Sequence, residues 1–181
     1  GEKQTAYRLQ VSEDASFHSV VWDSGETEGD TSVHVEVSGG FLKPRTRYYY
    51  RVQAWNRAKE PSGWSETAFW ETGMLSPSEW SAEWIAAPLE EGEAEPERSP
   101  LFRRGFRVGG AVASARVYAT ALGLYELELN GKRIGDHYFT PGWTNYRKRL
   151  QYQTYDVTDL LREGDNAIGA TLGNGWFKGN L

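Results

Sequence analysis

Apolar and polar residues alternate along short segments of the first 75 residues, and this alternation predicts β-strands. Successive side chains of a strand point to opposite faces, so a half-buried antiparallel strand carries large apolar residues at every second position. Turn residues such as Gly and Pro separate the segments, which favours an antiparallel sandwich without helices. The predicted strands of this part are Ala6–Val11, Ser19–Asp23, Ser32–Val37, Tyr48–Trp55 and Thr67–Thr72.

The same alternation continues after residue 100, where Asn130-Gly131 gives a strong turn signal. Both residues accept the positive φ angles of a type I′ turn, so the segments on either side are predicted to form a hairpin. Within segment 125–129 the apolar side chains are expected to face the core, with Glu126 and Glu128 in solvent. The predicted strands are Leu101–Val108, Ala113–Ala119, Tyr125–Leu129, Lys132–Gly135, Gln151–Val157 and Ala167–Leu172.

One helical turn is predicted over Thr158–Arg162, capped by Thr158 or Asp156. The second part then has about six strands, whereas a jelly roll has eight. We therefore expect an all-β chain with two antiparallel β-sandwiches in tandem. The second sandwich is expected to be jelly-roll-like and truncated at its C-terminal end.

The segment Phe41–Arg51, FLKPRTRYYYR, has the layout of a tyrosine corner. In such a corner a Tyr that opens a strand bonds through its hydroxyl to backbone a few residues upstream, and Tyr48 is the candidate. With VWDSG before it and SGWSE after it, this segment resembles a fibronectin type III domain over residues 6–73. Such a domain has seven strands in roughly 100 residues, so its first strand is expected to lie upstream of Gly1.

Composition and charge narrow the classes of function. The chain has 20 Lys and Arg, 25 Asp and Glu, a net charge of −5 and no Cys. A nucleic-acid binder needs a basic excess on one face, and an anionic membrane surface does not attract an acidic chain. No apolar run approaches the ~20 residues that span a bilayer. We expect no nucleic-acid or membrane partner, no disulfide and no thiolate zinc site.

The titratable residues do not form a pattern typical of catalysis or metal binding. Glu126 and Glu128 lie on a solvated hairpin face, where nothing raises a carboxyl pKa as an acid–base pair would need. His18, His34 and His137 lie in different parts of the chain, without the spacing of a ligand set. We therefore expect no catalytic residue, no metal site and no cofactor in these 181 residues.

The loop Thr140–Tyr146, TPGWTNY, is the candidate binding element. Its Pro-Gly pair forces a turn that presents Trp143 outward, with Asn145 and Tyr146 nearby. Flat aromatic faces beside an amide suit the C–H faces and hydroxyls of a sugar, and they equally suit a contact with another domain. We favour the domain contact over a sugar contact, and plain core packing is the third alternative. The turn Gly173–Trp176 has the same ambiguity.

Three stretches carry a wider resemblance: WSAEWI (80–85), ALGLYELELNGKRIGD (121–136) and PGWTNYRKRLQYQTYDVTDLLREGDNAIGATLGNGW (141–176). With them the chain resembles the N-terminal, non-catalytic region of bacterial α-L-rhamnosidases of glycoside hydrolase family 78. The implied domains are a fibronectin type III-like sandwich over 1–75, a Trp-bearing and acidic linker over 76–100, and a rhamnosidase N-terminal sandwich over 101–181. Within the linker, the acidic run Leu89–Glu97 is expected to be a mobile, solvated spacer.

The resemblance also implies what the whole protein does. Family members release terminal α-L-rhamnose with inversion, using two carboxylic acids on a downstream helical barrel, and no residue here corresponds to them. The implied partners are that catalytic domain and rhamnosylated glycans or glycosides. The unpaired edges expected of incomplete sandwiches also favour self-association into a homo-oligomer.

Other functions remain alternatives at this point. These domains would scaffold the barrel and contact sugar, or they would form a stand-alone carbohydrate-binding module without hydrolysis. A cell-surface array ranks last, because it predicts further fibronectin-type repeats. The absence of Cys favours the cytoplasm, with secretion as the alternative.

Overall fold

The computed structural model describes residues 3–87 and 99–178 of the chain. The chain divides into two compact units, Gly1–Glu83 and Trp84–Leu181, each of which is described by itself. The prediction of an all-β, antiparallel fold is confirmed. Within the described ranges the helical elements are two single 3₁₀ turns, Pro77–Glu79 and Thr158–Leu160. The acidic run Leu89–Glu97 lies outside the described residues.

The first unit contains one antiparallel sheet. Its order is β2-β1-β4-β5, and β3 pairs with the remaining length of β1. The two central strands pair without interruption from Ala6 opposite Trp55 to Ser12 opposite Tyr49. The strands are β1 (Ala6–Ser12), β2 (Val20–Asp23), β3 (Thr27–Glu28), β4 (Arg47–Trp55) and β5 (Ala68–Glu71).

The strand predicted at Ser32–Val37 is wrong. These residues pair with no strand of the described chain, and Val33 is 68% exposed. His34 has a φ of +58°, in the left-handed region, which interrupts an extended backbone. The three alternating valines of this segment therefore do not contribute to a sheet of the described chain.

The tyrosine corner is confirmed at Tyr48, whose side chain is fully buried. Its hydroxyl accepts a hydrogen bond from the Lys43 backbone N–H at 2.8 Å and donates one to the Phe41 carbonyl at 3.2 Å. The phenol thus satisfies two backbone groups that no strand reaches. This bond fixes the path by which the chain enters β4.

A cationic side chain lies between two aromatic rings on the outer face of the same sheet. The Arg51 guanidinium carbon is 4.2 Å from the centre of the Phe17 ring and 4.3 Å from that of Trp64. Its Nε and Nη2 also donate to the Gln10 side-chain oxygen at 3.0 and 2.8 Å. Several aromatic residues of the first unit therefore stabilise the sheet through cation–π contacts.

The second unit contains two antiparallel sheets that enclose one core. The larger sheet has the order β6-β11-β8-β9, and the smaller one pairs β10 with β7. Apolar residues of β8 in the larger sheet form one buried cluster with Tyr155 and Val157 from the side of the smaller sheet. The strands are β6 (Leu101–Val108), β7 (Arg116–Ala119), β8 (Leu124–Leu129), β9 (Lys132–Arg133), β10 (Gln153–Asp156) and β11 (Gly164–Gly173).

The predicted hairpin between β8 and β9 is confirmed. Asn130 and Gly131 have φ angles of +54° and +77°, as a type I′ turn requires. Residues of β8 alternate between buried and exposed, with Glu126 and Glu128 on the exposed side as predicted.

The cap predicted for the helical turn is wrong. The turn Thr158–Leu160 has Val157 at its N-cap position, and no side chain caps it. The Asp156 carboxylate instead accepts hydrogen bonds from the N–H and the hydroxyl of Thr158 at 3.1 and 2.7 Å. A short Asp side chain next to a turn bonds most easily to backbone two residues on.

Two asparagine side chains join four segments of the second unit. The Asn130 amide nitrogen donates to the Asn166 side-chain oxygen at 2.8 Å and to the Leu160 carbonyl at 2.9 Å, while its oxygen accepts the Ala167 N–H. The Asn166 oxygen also accepts the Arg162 N–H at 3.1 Å. Asn166 is only 4% exposed, so these bonds form away from water, where they are costly to lose.

A phenol links the two sheets at the centre of this core. The Tyr125 hydroxyl lies 3.1 Å from the Tyr155 hydroxyl and donates to the Gln153 side-chain oxygen at 2.8 Å. Tyr125 is on β8, whereas Tyr155 and Gln153 are on β10. Burial raises the pKa of the Tyr125 hydroxyl well above its usual range, so it stays protonated and donates at all physiological pH values.

Tyr48→Phe is expected to lower the free energy of unfolding of the first unit by about 1–2 kcal/mol. The Lys43 N–H and the Phe41 carbonyl would lose their partner in a buried place. Chemical denaturation measures the loss, and amide hydrogen exchange at Lys43 should become faster. Tyr50→Phe on the same strand is the control, and equal stability of the two variants would contradict this role.

Gly135→Ala is expected to destabilise the second unit by about 3 kcal/mol or more, whereas Gly131→Ala costs about 1–2 kcal/mol. Both glycines have similar positive φ angles, +72° and +77°. A Cβ at Gly135 would overlap the Tyr155 ring, but nothing lies within 4 Å of a Cβ at Gly131. Thermal unfolding of the two variants therefore isolates the steric term, and indistinguishable melting temperatures would refute it.

Candidate interaction surface

Four aromatic side chains on two loops of the second unit meet in two pairs, and a fifth, Trp143, is exposed on the first of these loops; we call the five the aromatic surface. One loop runs from residue 138 to 149 between β9 and β10, and the other follows β11. Trp143 and Phe139 are each 68% exposed, an unusual state for large aromatic side chains. The members of the aromatic surface are Phe139, Trp143, Tyr146, Trp176 and Phe177.

Backbone pairing anchors the first loop on the core strand β8. Thr140 and Tyr125 form an isolated β-bridge, in which the Tyr125 N–H donates to the Thr140 carbonyl at 2.9 Å. The Thr140 hydroxyl returns a bond to the Tyr125 carbonyl at 2.8 Å. Pro141 is fully buried and Gly142 has a φ of +95°, so the chain turns sharply and presents Trp143 to solvent, as predicted.

The structure brings together the two turns that the sequence singled out separately. Phe139 and Trp176 meet edge to face with ring centres 6.4 Å apart. Tyr146 and Phe177 meet in the same way, with centres 5.5 Å apart and planes at 87°. Such edge-to-face pairs fix ring orientation and add to the gain from burial. The two loops therefore form one surface.

Close backbone approach fixes the second loop. A Cβ at Gly175 would lie 2.7 Å from the Leu124 Cγ, and Gly175 has a φ of +50°. A Cβ at Gly123, where φ is +112°, would overlap the Gly173 carbonyl oxygen. Only glycine fits at either position. The path of the chain toward Trp176 is set by these contacts.

Asn145 lies in the loop, and its oxygen atoms brace the loop from inside. Its side-chain oxygen accepts the Arg147 N–H at 3.3 Å, and its backbone carbonyl accepts the N–H groups of Lys148 and Arg149. The Thr144 hydroxyl donates to the Arg149 carbonyl at 2.6 Å. Asn145 itself is exposed, and its side-chain oxygen keeps a second lone pair beside the amide N–H donors.

The Tyr146 hydroxyl is buried and has no hydrogen-bond partner within the described part of the chain. Tyr146 therefore contributes its ring to the aromatic surface, whereas its hydroxyl is buried. A buried hydroxyl without a partner costs free energy, because its bonds to water are not replaced. Of the three site residues predicted from sequence, Trp143 and Asn145 are exposed and Tyr146 is half-buried.

Phe139 and Phe177 belong to the surface but were not predicted. Each adjoins a turn that was singled out, before Thr140-Pro141 in one case and after Trp176 in the other. The sequence did indicate that these two residues are exposed, because an apolar residue beside a turn does not lie on the buried face of a strand. Their pairing with Trp176 and Tyr146 depends on contacts more than thirty residues apart, which no local pattern reports.

Other chemistry is sparse in residues 3–87 and 99–178. Glu126 is exposed and lies 3.6 Å from Arg133, so its carboxylate takes part in a surface ion pair. Groups of three or more side chains able to hold a metal ion do not occur in these ranges. No helix of the described residues is long and apolar enough to cross a membrane.

Comparison with known families finds a match within each unit. Residues 1–76 match the family described as "Rha78A-like, N-terminal immunoglobulin domain", and residues 110–181 match "Alpha-L-rhamnosidase N-terminal domain". The first unit thus matches an immunoglobulin domain, whose sandwich architecture is shared with the fibronectin type III fold and includes the tyrosine corner.

Individual relatives agree with both matches. An α-L-rhamnosidase of Formosa agariphila is 33% identical over 204 residues, which cover 100% of this chain and 21% of that protein. The structure of the α-L-rhamnosidase from Dictyoglumus thermophilum has a TM-score of 0.87 and 36% identity, over 96% of this chain and 21% of that one. The Streptomyces avermitilis α-L-rhamnosidase complexed with L-rhamnose has a TM-score of 0.88 and 26% identity, over 100% and 34%. The chain therefore spans between a fifth and a third of these relatives.

Tyr146→Phe is expected to raise the free energy of unfolding of the second unit by up to about 1 kcal/mol. The substitution keeps the edge-to-face contact with Phe177 and removes a hydroxyl that is buried without a partner. Thermal unfolding of the purified chain measures the change. Phe177→Ala is the comparison variant, expected to lower stability. A Tyr146→Phe chain that melts clearly lower than the original would mean that the hydroxyl is hydrogen-bonded.

Proposed function

This chain belongs to the N-terminal region of the α-L-rhamnosidase family, and from that premise we propose that it is the non-catalytic scaffold of such an enzyme. The complete protein would hydrolyse terminal α-L-rhamnosyl bonds of glycans or glycosides with inversion of configuration, using acids that lie downstream of residue 181. The proposal is supported by relatives that are all α-L-rhamnosidases and are three to five times as long. We also propose a cytoplasmic location, on the absence of cysteine.

The aromatic surface is the element that would dock on the catalytic domain. Aromatic side chains anchored by their neighbours are what the cores of permanent interfaces use, because they bury much area at little cost in side-chain entropy. Phe139 and Trp143 expose two thirds of their surface while their loop is braced from inside. A rigid, apolar, water-exposed cluster is the single observation that carries this assignment.

A stand-alone carbohydrate-binding module is the second candidate, and one observation favours it. Trp143 takes part in no ring contact with another described aromatic residue, so an indole face is open to a sugar. Asn145, which is exposed in the same loop, keeps amide donors for a sugar hydroxyl. The scaffold stays the first candidate, because the relatives that the chain matches are α-L-rhamnosidases of which it covers only a part.

Trp143→Ala is expected to leave the stability of the isolated chain unchanged and to lower the melting temperature of the complete protein. The indole is mostly exposed in the isolated chain, whereas truncating an anchor at an interface costs about 2 kcal/mol or more. Calorimetry of both forms measures the difference. The comparison of Trp143→Ala in the isolated chain and in the complete protein is the control. An equal change of melting temperature in both would contradict docking.

The module candidate is tested separately with L-rhamnose. Tryptophan fluorescence of the isolated chain is followed during titration to millimolar sugar, with Trp143→Ala alongside. No response in either chain leaves the scaffold as the function. A saturable response that Trp143→Ala abolishes would instead assign sugar binding to the aromatic surface.

A further inference from the structure

The larger sheet of the second unit has one face that no other described element covers, and we call it the open face. In an antiparallel sheet, directly opposite residues point to the same side. The register therefore places the partners of the exposed glutamates of β8 on this side of β11 and β6. A groove of about 1020 Å³ lies over it. The open face consists of Leu101, Arg103, Gly105, Arg107, Glu126, Glu128, Arg133, Asp165, Ala167, Gly169 and Thr171.

The floor of the open face is nearly bare backbone. Both glycines lie in strand interiors next to Ala167: Gly105 is directly opposite it on β6, and Gly169 is two residues further along β11. Neither glycine has a positive φ. A Cβ at Gly105 or Gly169 would have its nearest neighbours at 3.8 and 3.6 Å, which is ordinary contact distance. Folding therefore does not require glycine at these two positions.

Glycine in a strand interior nevertheless weakens the strand, by roughly 0.5–1 kcal/mol relative to alanine. Two such residues on one face are a cost that neither backbone conformation nor packing explains. Bare backbone in a sheet is typical of places where a ligand or another chain approaches closely. The floor thus indicates that something lies flat against β11.

Charges of opposite sign line the two sides of this floor. Arg103 is directly opposite Gly169 on one side, and Glu128 is opposite Gly169 on the other. Strands lie about 4.8 Å apart, so the backbones that carry these two charges are about 10 Å apart across the glycine. Arg103, Arg107 and Glu128 have no ion pair within residues 3–87 and 99–178.

The chemistry of the open face selects the kind of occupant. A permanent domain contact is apolar at its centre, but the only large apolar side chain on this face is Leu101, at the end of the sheet. Charges of both signs lie on the face, since Arg133 is directly opposite Glu128 and 3.6 Å from Glu126, so an ion of either sign would meet repulsion as well as attraction. A neutral polyhydroxyl compound suits both sides, because its hydroxyl oxygens accept from guanidinium groups and its O–H groups donate to carboxylates.

We propose that the open face is a binding site for a neutral saccharide, which lies on Gly105 and Gly169 between Arg103 and Glu128. The volume of the groove is near the upper end of ordinary ligand sites and accommodates more than one sugar ring. Without an aromatic platform on the face, binding rests on hydrogen bonds to water-exposed groups and has a millimolar dissociation constant. The site stands independently of the aromatic surface and of the activity of the complete protein.

The test is a titration of the isotope-labelled chain with two probes, L-rhamnose and the neutral trisaccharide maltotriose. Amide resonances of Gly105 and Gly169 are followed up to about 50 mM sugar, a range that covers millimolar dissociation constants. At least one probe is expected to shift both resonances in a saturable way. No shift with either probe would overturn the proposal.

Gly169→Val is the decisive variant, because it fills the floor without harming the fold. Valine favours strands and its Cβ has room at this position, so the variant is expected to melt at the same temperature or higher. Sugar binding should weaken about tenfold or more. Saccharide binding that survives Gly169→Val unchanged would place the sugar elsewhere and overturn the assignment.

The sides of the groove have matched controls. Arg103→Gln and Glu128→Gln are each expected to weaken binding severalfold, whereas Arg104→Gln, on the opposite side of the same strand, should not. Trp143→Ala should also leave binding unchanged, which separates this site from the aromatic surface. If Gly169→Val binds sugar as the original chain does and destabilises the complete protein, the open face is a domain contact and the proposal fails.

Discussion

The side-chain amides of Asn130 and Asn166 hold the second unit in register. Each amide bonds to backbone of a different segment, and the two bond to each other at 2.8 Å. The turn between β8 and β9, the 3₁₀ turn Thr158–Leu160 and the start of β11 meet there, where the backbone ladder alone cannot connect them. Both amides are satisfied, and a buried polar network of this kind specifies one arrangement because every alternative leaves a group unpaired.

The aromatic surface and the open face both depend on that arrangement. β11 starts at the asparagine pair, carries Gly169 along the open face and ends just before the loop of Trp176. The hairpin that starts at Asn130 leads into the loop of Trp143. A shift of β11 by one residue against β8 would turn its core residues to solvent and bury its outward-facing ones. The Tyr125 hydroxyl then fixes the smaller sheet against this frame.

The sequence correctly predicted the features that depend on only a few neighbouring residues. The tyrosine corner spans Phe41 to Tyr48, and the turn at Asn130-Gly131 is set by its own φ angles, so both were accessible to local reasoning. Ser32–Val37 was mispredicted because alternation reports which residues could share a face and not whether a partner strand exists. The loop of Trp143 was found from its Pro-Gly turn, whereas the role of Asn145 in bracing it and the contact of Tyr146 with Phe177 needed coordinates.

The close packing at Gly123 and Gly175 has a consequence for how this protein can change over evolutionary time. Mutation at either position is blocked by neighbouring atoms, so the place where the second loop leaves the core is frozen. Residues 176 and 177, just beyond it, carry rings that meet Phe139 and Tyr146. Lineages are therefore expected to change these rings together with their partners, while the path of the backbone at the base stays the same. Steric packing at the base thus confines variation to the paired rings at the tip.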